Sequence, residues 1–146
     1  MRTLIVEDDF LSRVFLQEIL SPYGPCHVAV NGREAVHAFR LARADHAPYD
    51  LVCIDIMMPD VDGHDVLKAI RGIEDAAGIL VGDGAKVVMT TGSHDKSNVF
   101  SAFQEMCDGY LLKPIEKNRL LVQLHSLGLV TESDAHLTGA AQRLSP

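Results

Sequence analysis

Leu51-Val52-Cys53-Ile54-Asp55-Ile56-Met57-Met58-Pro59-Asp60-Val61-Asp62-Gly63 is the stretch whose reading decides the fold. Its first four residues are apolar without a break, the pattern of a strand covered on both faces as in a parallel sheet. The run stops at a carboxylate, Asp55, and enters a loop punctuated by Pro59 and Gly63. Val66, Ile70 and Ile73 then recur at helical spacing. The order is therefore strand, acid, loop, helix.

The same order repeats on either side. Leu4-Ile5-Val6 stops at Glu7-Asp8-Asp9, after which Leu11, Phe15 and Ile19, flanked by Leu16 and Leu20, form a helical stripe closed by Pro22, Gly24 and Pro25. His27-Val28-Ala29-Val30 reads as a strand, Asn31-Gly32 as turn and cap, and Ala35, Phe39 and Ala42 as the next apolar stripe. Lys86 to Thr90 is a strand followed by a helix bearing Val99, Phe103 and Met106. Gly109 to Leu112 is a strand followed by one bearing Leu120, Leu124 and Leu127. Residues 72–85 place Gly72, Gly78, Gly82 and Gly84 around Ile79-Leu80-Val81, so the third helix either stops early or adds a turn before a loop. Crossover helices return the chain to parallel starts, which predicts an α/β fold: a doubly wound, five-stranded parallel sheet with helices on both faces. Residues 1–128 read as one domain and 129–146 as a tail or short extra helix.

With 146 residues the chain can bury a core without disulfides or a structural metal. Thirteen Lys and Arg against twenty Asp and Glu give a formal charge of -7, which argues against direct nucleic-acid contact and against an anionic membrane surface. Cys26, Cys53 and Cys107 form neither a zinc-ligand spacing nor a disulfide framework, and a reducing cytoplasm is the expectation. The start does not read as a signal peptide, and no apolar run approaches membrane-spanning length.

In an open parallel sheet, ligands bind beyond the carboxyl ends of the strands. Those ends carry Glu7, Asp8 and Asp9, then Asp55, Thr91 and Lys113. Alone, each has a plain reading: Asp8 and Asp9 cap a helix, Asp55 closes a turn, Thr91 fills a strand, Lys113 is solvated, and Tyr110 packs its ring on the core. Gathered at one rim, the carboxylates repel one another unless a proton or cation intervenes, and an all-oxygen cluster suits Mg²⁺. Asp55 could then attack phosphorus as a carboxylate nucleophile, with Lys113 and Thr91 meeting the phosphoryl oxygens.

Glu7-Asp8-Asp9, the segment Asp55 to Gly63, Thr91-Gly92 and Tyr110-Leu111-Leu112-Lys113-Pro114 also resemble, in order and spacing over residues 2 to 127, the CheY-like receiver domains of response regulators in two-component signal transduction. The resemblance implies a flavodoxin-like (βα)5 fold with strand order 2-1-3-4-5. It implies Asp55 as phosphoacceptor and Asp9 as direct Mg²⁺ ligand. Asp8 would act largely through metal-bound water, and the Met57 carbonyl would complete the protein ligands. It further implies Lys113, Thr91 and Gly92 at the phosphate, Tyr110 as the switching aromatic, and a cis Lys113-Pro114 bond. Glu7 has no essential place in this scheme. The partners implied are a sensor histidine kinase or histidine phosphotransfer protein as donor, a downstream protein target and a homodimer partner. The chain reads as a stand-alone receiver, not an enzyme with a separate substrate, that catalyses its own phosphotransfer and dephosphorylation. Gly92 stands where the family more often has Ala and Val61 where Met is common. Met57 and Ser93 occupy positions that tune acyl-phosphate lifetime. Two rivals remain: a phosphatase of the haloacid dehalogenase type, which wants an acid where Met57 stands, and a receiver-like adaptor that works without phosphorylation.

Overall fold

A computed structural model of the chain describes residues 1–59, 61–92 and 106–131. The expected helix bearing Val99 and Phe103, together with Asp60, Ser93 and residues 132–146, lies outside the described residues.

Five strands, β1 (Thr3–Val6), β2 (Cys26–Ala29), β3 (Leu51–Asp55), β4 (Lys86–Thr91) and β5 (Gly109–Leu112), form one parallel sheet in the order β2-β1-β3-β4-β5. Four helices are described: α1 (Phe10–Leu20), α2 (Gly32–Ala44), α3 (Gly63–Ala76) and α4 (Lys117–Ser126). Successive strand residues point to opposite faces, and the core divides accordingly. Leu4, Val6, Val52, Ile54, Val87 and Met89 meet Phe39 of α2 and Val66, Leu67 and Ile70 of α3. Ile5, Leu51, Cys53 and Val88 meet Leu16, Ile19 and Leu20 of α1 and Leu120 and Leu124 of α4. The continuous apolar runs of the sequence are thus strands sandwiched between two helical layers. The expected doubly wound sheet and its strand order are what the structure has.

Two local details are decided by the structure. Of the apolar stripe of α1, the helix turns Leu16, Ile19 and Leu20 inward and leaves Leu11 75 % exposed, with Phe15 and Phe10 also at the surface. Four-residue spacing alone does not choose between two adjacent apolar rows. The third helix runs through Gly72 to Ala76 before the glycine-rich connection, where Gly78 and Gly82 take positive φ. That connection is pinned by Arg71. Its guanidinium donates to the Glu74 carboxylate (2.7 Å), the carbonyls of Ala85 and Met106 (both 2.8 Å) and the Asp108 carboxylate (2.9 Å). Glu74 in turn accepts from the Ala85 amide at 2.7 Å. Beyond α4, Val130 is still buried in the α1–α4 layer, so the core extends past residue 128.

Candidate phosphoryl-acceptor site

Because the strands are parallel, their carboxyl ends share one rim. A cleft of about 440 Å³ there is lined by Glu7, Asp8, Asp9, Asp55, Met57, Gly92 and Lys113. Asp55 is the last residue of β3 and only 3 % exposed. The chain turns sharply after it: the Met57 amide donates to the Asp55 carboxylate at 3.1 Å, and the Gly63 amide donates to the Ile56 carbonyl at 3.1 Å. Any side chain at Gly63 would strike the Asp55 carbonyl, which explains the glycine.

Lys113 follows β5, and its amide donates to the Thr91 carbonyl at 2.7 Å, which ties the ends of β4 and β5 together. Its ammonium lies 2.8 Å from the Glu7 carboxylate and 3.3 Å from that of Asp55. The Lys113–Pro114 peptide is cis. Glu7 is 1 % exposed, and burial pushes its carboxyl up to about 7; the hydrogen bond from Lys113 offsets part of that rise, and the Asp55 charge adds to it. For Lys113, burial works against the charge, but the bond to Glu7 and the Asp55 carboxylate outweigh it and raise the pKa.

Carboxylate oxygens of Glu7, Asp8 and Asp55 lie within 4.8 Å of one another. The acids that group here are thus Glu7 and Asp8, whereas the resemblance implied Asp8 and Asp9 and gave Glu7 no essential place. Asp9 lines the cleft, but it has already reached the N-cap position of α1. Its carboxylate accepts from the Ser12 amide (2.9 Å) and hydroxyl (2.8 Å), which holds its pKa below the usual range. The acid trio is read one residue earlier than the resemblance placed it. An all-carboxylate group with two buried members, Glu7 and Asp55, and no sulfur or imidazole donor fits a hard divalent cation such as Mg²⁺.

Thr91 is buried at the end of β4, and Gly92 beside it opens onto the cleft. Tyr110 packs against the α2–α3 layer of the core with its hydroxyl withdrawn from water. Burial, then the nearby Cys107 and Asp62, push that phenol up to about 12. Cys53, two residues before Asp55, is likewise pushed up to about 12 by burial, so its thiol is an inert core group.

The doubly wound sheet thus presents a buried aspartate, two further acids and a lysine together at its carboxyl rim. The comparisons with known proteins give the family. The model of the response regulator receiver domain matches residues 3–125. The chemotaxis protein CheY of Bacillus subtilis (strain 168) is 33 % identical over 122 residues, covering 82 % of this chain and 91 % of that protein. The receiver domain of Saccharomyces cerevisiae Ssk1, solved with the histidine phosphotransfer signaling protein Ypd1, superposes with a TM-score of 0.67 at 26 % identity, over 82 % of this chain and 83 % of that one. The receiver domain of the Arabidopsis thaliana histidine kinase CKI1, solved with Mg²⁺ and BeF3⁻, shares the fold with a TM-score of 0.72 at 22 % identity over 87 % of this chain and 89 % of that one. The chain belongs to the response regulator receiver family of two-component phosphorelay systems, whose members are signalling phosphoproteins that bind Mg²⁺ at an acidic pocket. Among the described residues, no helix is long and apolar enough to cross a membrane.

Proposed function

We propose that this receiver takes a phosphoryl group onto Asp55 from a phosphohistidine on a histidine kinase or phosphotransfer protein, and that the product alters a protein-binding face. One observation carries the reading: the Asp55 carboxylate closes the floor of an open cleft, grouped with Glu7 and Asp8 and 3.3 Å from the Lys113 ammonium. A carboxylate oxygen of Asp55 attacks phosphorus. The phosphorus–nitrogen bond of the donor breaks, and its electron pair leaves on the imidazole. Asp8 and Asp55 with the Met57 carbonyl, backed by Glu7, would hold Mg²⁺, which when bound would supply charge neutralisation for the phosphoryl oxygens. Lys113 swings its ammonium from Glu7 and Asp55 toward the new phosphate, and the Thr91 hydroxyl donates to it beside the open Gly92 position. Tyr110 re-packs as the ends of β4 and β5 shift, which changes the surface a downstream protein or a second copy reads. Hydrolysis of the acyl phosphate at the same site resets the domain. Met57 has no acid/base group to offer, which disfavours turnover of phosphate esters.

The donor docks on α1. Leu11 and Phe15 form an apolar groove with Pro114 and Ile115, and Lys113 lines both this groove and the Asp55 cleft. A partner seated on the groove is therefore beside the acceptor carboxylate. The test is incubation with acetyl phosphate and Mg²⁺. One phosphoryl group should appear on the wild type and none on Asp55→Asn; equal labelling of the variant overturns the assignment.

A further inference from the structure

The acid group can hold a cation only if the short segment between β1 and α1 aims Glu7 and Asp8 together, and Asp8 is exposed, so packing does little to orient it. The segment is held by the Glu7 amide, which donates to the Ala29 carbonyl (3.1 Å), by the Asp9 amide, which donates to the Glu7 carboxylate (3.1 Å), and by Asp9 as helix cap. Arg13, one turn into α1, supplies a further anchor, and the one that reaches the Asp8 carbonyl. A single guanidinium nitrogen donates to the carbonyls of both Glu7 (3.3 Å) and Asp8 (2.9 Å). The guanidinium lies over the Phe10 ring, 5.6 Å from its centroid, although that ring is 65 % exposed.

We propose that Arg13 is a positioning residue of the cation site: by gripping the carbonyls of Glu7 and Asp8 it fixes their peptide planes, and hence the directions in which the two carboxylates leave the backbone. The inference rests on the Mg²⁺ reading above. Groups that orient metal ligands without touching the metal commonly contribute ten- to a hundred-fold to affinity, about that much being lost on mutation. The sign of the effect separates this role from a simple electrostatic one. Arg13 is a cation beside a cation site, so if its charge alone mattered, removing it would tighten Mg²⁺ binding. If its grip matters, removing it weakens binding.

The experiment is calorimetric titration of the full chain with Mg²⁺, in the absence of any phosphodonor, for wild type, Arg13→Met, Arg13→Lys and Asp8→Asn. Met keeps an apolar stem without the charge or the donors, and Lys keeps the charge but ends one atom short of the nitrogen that reaches both carbonyls. The proposal expects both Arg13 variants to bind about tenfold more weakly than wild type, with Asp8→Asn losing binding. Tighter or unchanged binding in Arg13→Met overturns it while leaving the Mg²⁺ site intact. Should Arg13→Met fail to fold, Arg13→Lys decides alone, since wild-type affinity there overturns the proposal. A wild type that does not bind Mg²⁺ overturns the functional reading itself, and this inference with it.

Discussion

Replacing Glu7 by Gln makes the apo protein more stable at neutral and higher pH, although it removes one half of a buried ion pair. The reason lies in the competing terms at that carboxyl. Lys113 sits 2.8 Å away, yet burial and the Asp55 charge win, and the folded state holds the Glu7 proton up to about 7 against an ordinary value of 4.5. The folded protein therefore binds that proton more tightly than the unfolded chain does. The stability it confers is complete below 4.5 and is lost as pH rises through 7. Above that window, keeping Glu7 ionised costs the fold on the order of 3 kcal/mol. Gln is neutral throughout and can still accept from the Lys113 ammonium, so at about pH 8 the variant should gain up to that amount, a rise in Tm of roughly 6–12 °C. Below about pH 4.5 the two proteins should converge. Urea or thermal unfolding from acid to mildly alkaline pH, without divalent cation, measures the difference directly. Mg²⁺ should reverse it, because wild type gains binding free energy that the variant largely lacks. A Gln variant less stable than wild type at alkaline pH in EDTA, or a difference independent of pH, would refute the reasoning.

Asp9→Ala should cost about 1 kcal/mol of folding through loss of the α1 cap and leave Mg²⁺ affinity within a few-fold, whereas Asp8→Ala should keep most of the stability and lose the affinity; paired unfolding and calorimetry separate the two acids. Arg71→Ala leaves the buried Glu74 carboxylate without its cation and unties Asp108 and the Ala85 and Met106 carbonyls, so it should destabilise by about 3–5 kcal/mol in chemical denaturation; a loss under about 1 kcal/mol would mean the hub is dispensable. Phe15→Glu on the exposed row of α1 should slow phosphotransfer from a protein donor at least about tenfold while acetyl phosphate labelling stays near wild type. Parallel loss with both donors would place the defect in the acceptor site instead.

The sheet was legible because its strands are buried on both faces: Leu51 to Ile54 and Val87 to Met89 are continuous apolar runs between helical stripes, and no other common architecture puts them in that order. Asp55 and Lys113 were legible for the same reason, as polar residues where such runs stop. The acid trio was not. Glu7-Asp8-Asp9 offers carboxylates at three successive positions, and only the onset of α1 at Phe10 decides which one is taken up as the helix cap. The signal was present in Asp9 followed three residues on by Ser12, whose amide and hydroxyl both claim that carboxylate. Glu7's partnership with Lys113 joins residues more than a hundred positions apart and leaves no local trace. The inward face of α1 escaped similarly, since Leu11 and Phe15 are as apolar as Leu16 and Ile19, and the sheet they would have to meet is assembled from distant strands.

Treating the protein with acetyl phosphate and Mg²⁺, trapping the product with borohydride and sequencing the peptides by mass spectrometry tests the central claim most directly, because reduction of an acyl phosphate converts the modified aspartate to homoserine. The account predicts homoserine at position 55 and nowhere else in the chain. Reduction at Asp8 or Asp9, or an intact Asp55 in protein shown to carry phosphate, contradicts it.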